Sequence, residues 1–154
     1  MGALEFAWQA LRPTGEMGDI RMHAASRMFL GLAGLALCAA AGLGAYGAHG
    51  LASTVPQAAW QAFMTAVDYQ FYHGLGLCIV AILVNSRPNV RAFHAAGYAL
   101  IVGILLFCGG IVATTLGAPA ALVRVVPFGG VAFMIGWLAL AVGGLARISP
   151  RDST

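Results

Sequence analysis

The residues able to do chemistry are few, and they gather around one stretch. Thr65, Tyr69, Tyr72, His73 and Gly76 recur at three- and four-residue steps, with Asp68 beside them. In a helix that spacing puts them on one stripe. Tyr46 and His49 close the apolar run before this stretch, and Arg124 precedes the last apolar run. If the runs cross a bilayer in alternation, Tyr46, His49, Asp68, Tyr69, Tyr72, His73 and Arg124 share one side of it. His73 would then lie roughly 7 Å deeper than Asp68, at 1.5 Å of rise per residue.

Three kinds of chemistry fit such a cluster. It can be a hydrogen-bond network that fixes helix register, with Asp68 paired to Arg124. It can bind a lipid head group, a quinone or another small ligand. It can carry protons or ions, or ligate haem through His49 and His73. A metal set is not expected: no histidine stands one turn from another, and no Cys-x-x-Cys occurs. Phe107-Cys108-Gly109-Gly110 lies inside an apolar run, so it does not read as a phosphate loop. No nucleophile–base pair is visible. The expectation is a chain with no catalytic residues, no cofactor and no enzymatic activity.

The elements that must position these residues follow from charge. No formal charge occurs from Met28 to Tyr46, Tyr69 to Val84, Ala92 to Val123 or Val125 to Ala146. A helix needs about 20 apolar residues to cross a hydrocarbon core of roughly 30 Å. The expected spans are 28–46, 67–84, 93–116 and 127–146. The second has an amphipathic lead-in, with Trp60, Phe63, Met64, Val67 and Phe71 on one face and Gln57, Gln61, Thr65 and Asp68 on the other. Ser53 or Thr54 is expected to cap it, with Pro56 in its first turn. Asn85 to Arg91 is a polar turn, and Gly117-Ala118-Pro119 ends the third span.

Residues 1–26 form an N-terminal extension, read as a tail or as a short interfacial helix around Leu4, Trp8 and Leu11. Residues 27–147 form the membrane domain, and 148–154 a C-terminal tail. The first span has the outline of a secretory signal, but its length and the spans that follow favour retention. The expected fold class is therefore all-α: a polytopic membrane protein with four transmembrane helices in a bundle.

Composition agrees. The 154 residues are 60% hydrophobic and 8% charged, against about 25% charged in a soluble domain. The net charge is +3, too small and too scattered for a nucleic-acid partner. Cys38, Cys78 and Cys108 all sit in apolar runs, an odd number that excludes a full disulfide framework. Four spans would put Arg12, Arg21, Arg27, Arg87, Arg91, Arg147 and Arg151 on one side and only Arg124 on the other. The positive-inside rule then puts both termini in the cytoplasm. Small residues mark two helices: Gly31, Gly34, Cys38, Ala41 and Ala45 on the first, Gly129, Gly136, Gly143 and Gly144 on the fourth. Such residues let helix backbones approach closely in lipid. Gly34, Cys38, Gly129 and Gly136 are expected to pack helix on helix within the chain, or, in the sharper reading, between subunits.

Three runs carry a resemblance. Gly44-Ala45-Tyr46-Gly47-Ala48-His49-Gly50-Leu51 resembles the signature "GAFGAHGL". Trp60 to His73 resembles "W-x-TA-x-x-YQ-x-YH". Pro127-Phe128-Gly129-Gly130 with Gly136-Trp137 is similar to "TP-x-GG-x-x-F-x-x-GW". These belong to the domain-of-unknown-function 423 group of small integral membrane proteins, which includes transmembrane protein 256 of animals. The resemblance covers about residues 28–147 and implies a four-span inner-membrane protein, without an activity. The chain departs from it at Phe107-Cys108-Gly109-Gly110, where the family has serines, and at Val126, where it has threonine.

The expected role is a non-enzymatic accessory, assembly or stabilising subunit in a bacterial inner membrane, self-associating or part of a larger complex. The alternative is small-molecule binding or transport by the outward cluster.

Overall fold

A computed structural model describes residues 22–145. The interfacial helix expected around Leu4 and the tail from 148 lie outside those residues. Four helices are long and apolar enough to cross a membrane: α1 (Ala24–Leu51), α2 (Gln57–Ser86), α3 (Arg91–Thr115) and α4 (Ala120–Leu145). No strand occurs among the described residues. A helix satisfies its own backbone within one segment, which lipid demands of any span.

The interruptions fall where the backbone demands them. Pro56 precedes α2, Pro88 sits in the turn after it, and Pro119 precedes α4. The cap expected from Ser53 or Thr54 does not form. The Thr54 hydroxyl instead donates back to the Leu51 carbonyl at 3.0 Å, and Pro56, expected in the first turn, takes the cap position just before Gln57. After α3, Gly117 takes φ +99°, the left-handed region that suits glycine. Ala118 N–H then reaches the Ala113 carbonyl at 2.9 Å, and Gly117 N–H the Thr114 carbonyl at 3.2 Å. The two bonds close the helix end as a Schellman motif.

Two helices contain a wide turn. α1 ends in a π-helical turn, Gly47–Leu51, whose Gly47 carbonyl accepts the Trp60 indole N–H at 2.8 Å. α3 carries another at Ile104–Cys108. α4 opens with a 3₁₀ turn, Ala120–Val125.

The tightest pairs are α1 with α2 and α3 with α4, and α2 against α3 joins them. Half of the α2 span is buried, against 17% for α1 and for α4, so α2 is the central helix. Each pair has its own adhesive.

Hydrogen bonds tie α1 to α2 along their whole length. His23 N–H donates to Asn85 Oδ1, and the Ser26 hydroxyl to the Ala81 carbonyl at 2.7 Å. Gln70 Nε2 donates to the Ala36 carbonyl at 2.9 Å, and Trp60 donates to Gly47. Each step along α1 is matched by a step back along α2, as an antiparallel pair requires.

Sockets tie α3 to α4. A methyl built on Gly129 would strike Phe107, one on Gly136 Leu100, and one on Gly143 Phe93. In the other direction, Phe133 fills the space beside Gly103. Side chains of one helix thus enter glycine gaps of the other at Gly136, Gly143 and Gly103, and the Phe107 backbone closes on Gly129, so the α4 gaps recur at seven-residue intervals. A seven-residue repeat keeps one seam of a helix facing its partner.

Candidate functional site

The predicted polar cluster divides in two. Tyr46, His49, Asp68, Tyr72 and Arg124 all have exposed side chains. Tyr46 packs edge-on to Phe63, ring centres 6.4 Å apart. Among the described residues there is no salt bridge, so the expected Asp68–Arg124 pair is not formed. His49 and His73 do not meet. Trp60 holds the turn that carries His49, and His73 is 13 residues further along α2, roughly 20 Å by helical rise. Haem ligation by that pair is therefore excluded by distance.

Tyr69 and His73 are brought together, and with partners outside the predicted cluster. His73 is buried, and its Nδ1 lies 2.6 Å from the Tyr69 carbonyl. A carbonyl can only accept, so Nδ1 carries the proton. The imidazole stacks on Phe133 of α4, centres 3.4 Å apart and planes 15° apart. Trp137 stands 5.9 Å from the same ring. Tyr69 stacks on Phe107 at 5.0 Å, and Phe107 meets Phe133 edge-on at 5.8 Å. Three helices thus contribute to one aromatic cluster.

The local folding explains the assembly. Tyr69 and His73 are one turn apart, so they stand one above the other on α2. Gly129 leaves room for Phe107 beside the α4 backbone, and Gly103 leaves room for Phe133 beside α3. Phe107 itself lies in the wide turn of α3, a geometry common at functional sites. Gly76 completes the fit, because a methyl there would press on the Trp137 ring at 2.9 Å.

Beside this cluster lies a groove of about 430 Å³, lined by Tyr69, His73, Phe107, Phe133, Met134 and Trp137 among others. Its walls are mostly apolar. Every buried side-chain nitrogen and oxygen among the described residues has a partner. His73 bonds the protein through Nδ1 alone, so its Nε2 lies at the groove surface. A second groove, about 240 Å³, is lined by Leu32, Leu35, Leu77, Ile101 and Leu105 among others and offers no side-chain polar group.

The chain is similar over about three quarters of its length to a known set of proteins. The profile described as "Protein of unknown function (DUF423)" matches residues 43–130. The UPF0382 membrane protein YwdK of Bacillus subtilis is 35% identical over 119 residues, 77% of this chain and 97% of its own length. This chain belongs to the DUF423 family. The UPF0382 membrane protein SERP0230 of Staphylococcus epidermidis is likewise 35% identical, over 77% of this chain and 96% of its own. A UPF0382 membrane protein of Haemophilus influenzae is 32% identical over 66% of this chain and 80% of its own. No solved structure matches the chain. The DUF423 match takes in Tyr69, His73 and Phe107 and ends at Gly130, just before Phe133 and Trp137.

The small residues also divide. Gly129 and Gly136 sit in helix contacts. Gly34 and Cys38, expected in the same role, are exposed, and a methyl on Gly34 meets nothing within 4 Å. The reason is that α1 buries Ser26, Phe29, Ala33 and Ala40, with Ser26 and Ala33 against α2 and Phe29 against α3, which turns the Gly34 stripe outward. Gln70 was missed as a structural residue. Its sequence signals are an amide between Tyr69 and Phe71 in an uncharged run and its place in the "YQ" of the second resemblance motif.

Proposed function

We propose that this DUF423 protein binds a membrane-dissolved small molecule in the α2–α3–α4 groove, as a non-enzymatic protein. The observation that carries this reading is His73 Nε2, a hydrogen-bonding atom without a protein partner in an apolar groove. His73 lies 13 residues from Ser86, the end of α2, or roughly 20 Å, well inside a core of about 30 Å. Ligand pockets are typically apolar clefts of roughly 300–1,000 Å³ with a few placed polar groups, and the groove is of that kind. Native mass spectrometry of the protein released gently from its own membranes tests this. A stoichiometric small ligand, lost in His73→Phe while the fold persists, is the expected result. A ligand-free protein from wild-type membranes overturns it.

The accessory-subunit reading rests on a different observation. Gly31, Gly34, Cys38, Ala41 and Ala45 form an exposed stripe on α1, whereas the α4 glycines at 129, 136 and 143 are filled by α3. Small residues on a lipid-facing helix permit close approach of another helix. Oxidative cross-linking in membranes, with Cys78 and Cys108 replaced by alanine, is expected to give a Cys38-linked species. Its absence under conditions that link a known dimer argues against self-association through α1.

The arginine distribution supports an inner-membrane protein with both termini cytoplasmic. A cysteine placed at Ser86 would then react with an impermeant maleimide only after the membrane is opened; labelling of intact spheroplasts contradicts that orientation.

A further inference from the structure

The chemistry of the groove narrows its ligand, on the premise that the groove is a binding site at all. The Nδ1 proton of His73 is committed to the Tyr69 carbonyl at 2.6 Å. In the neutral imidazole that leaves Nε2 as a lone pair, which can only accept. The ring cannot reverse its roles cheaply: moving the proton to Nε2 would set an Nδ1 lone pair against the carbonyl oxygen. Stacking on Phe133 at 3.4 Å also holds the ring plane. The groove therefore asks its occupant for a donor.

The walls ask for something flat. Phe107, Phe133, Tyr69 and Trp137 present aromatic faces and edges to one space. Aromatic rings gain from offset and edge-on contacts beyond simple burial. No arginine is among the groove-lining residues, so a phosphate or carboxylate head group would find no counter-charge there.

We infer that the groove selects a hydroxylated aromatic ring, of the phenol or hydroquinone class, whose O–H donates to His73 Nε2. The carbonyl or ether counterpart of the same ring has no proton to give and leaves Nε2 unmet. The site would thus distinguish a reduced, hydroxyl-bearing ring from its oxidised form without taking part in the oxidation.

The test uses the whole protein in detergent micelles with two probes of nearly equal shape, 2-naphthol and 2-methoxynaphthalene. Binding is read by energy transfer from tryptophan to the naphthalene, with protein-free micelles subtracted. Wild-type protein is expected to bind the naphthol about tenfold tighter, the effect of one retained hydrogen bond in an apolar site. In His73→Phe, which keeps a ring against Phe133, the two probes should bind alike. Equal binding of both probes by the wild type overturns the hydroxyl inference and leaves the groove intact as an apolar site. Binding of neither probe overturns the groove reading with it.

Discussion

At the scale of single residues, polar groups matter because lipid offers them nothing. Gln70 and Ser26 are buried and give their protons to main-chain carbonyls of the facing helix. Interhelical hydrogen bonds in membranes average about 0.6 kcal/mol and reach about 1.7. Gln70→Leu and Ser26→Ala should each lower stability by about 0.5–1.5 kcal/mol, measured as the unfolding midpoint in mixed micelles. The two sites lie at different depths of the α1–α2 pair and share no partner, so the double variant should show the sum. Thr65→Ala is the matched control, because its hydroxyl bonds only back to Gln61 in its own helix and its side chain is exposed. Equal loss in all three variants would mean that the cross-helix bonds are not what holds α1.

At the scale of elements, the glycines sort by what faces them. Gly129→Ala places a methyl against the Phe107 backbone, which cannot turn aside as a side chain can. Overpacking of this kind costs about 1–3 kcal/mol. A methyl on Gly34 or Gly144 meets nothing within 4 Å, and alanine is the better helix former. Gly129→Ala should therefore destabilise, while Gly34→Ala and Gly144→Ala should not; the same micelle titration decides it. The sequence made part of this legible. Charge-free runs located the four helices, and glycines at 129 and 136 marked a packed face of α4. It did not reveal that Gly34 and Cys38 turn outward. In lipid, an apolar residue is equally at home on either face of a helix, so hydropathy loses the contrast that identifies a core in water. The partners of His73 were hidden for another reason. Phe107, Phe133 and Trp137 are 34 or more residues away, and nothing local in their spacing names an imidazole as neighbour. The predicted Asp68–Arg124 pair failed because both side chains reach an exposed surface, where an ion pair contributes little.

At the scale of the whole molecule, the protein is two helical hairpins set side by side. α1 leans on α2 through hydrogen bonds, α3 on α4 through sockets, and the hairpins meet chiefly along α2 and α3. The buried seam between them includes Leu77, Val80 and Val84 of α2 with Phe93, Ala96 and Leu100 of α3. α2 also meets α4 where His73 stacks on Phe133, and α1 reaches α3 where Phe29 lies against the Gly97 backbone and 5.3 Å from the Tyr98 ring. Each hairpin can insert by itself, since helices in lipid form before they associate. A chain cut between Pro88 and Asn89 should then reassemble when the halves are made together, and a tag on the first half should retain the second. Adding Gly97→Leu, which occupies the place of the Phe29 ring, should release it. Retention unaffected by that change would place the adhesion elsewhere on the seam.

The glycine sockets carry one more implication. On α4 they stand at 129, 136 and 143, and on α3 two glycines, 103 and 110, are also seven apart. A slide of one repeat, roughly 10 Å along the axis, would bring Phe107 to Gly136, Leu100 to Gly143 and Phe133 to Gly110. The α3–α4 seam is thus a vernier with a second, poorer coincidence, because the slide carries Phe93 past Gly143 and takes Phe133 away from Gly103. The short stretch from Leu116 to Pro119 adds to that preference, because a slide would have to stretch it by the same distance. Seven flexible residues inserted after Gly117 would slacken that tether. A paired-cysteine map of such a variant should then show both alignments where the natural chain shows one.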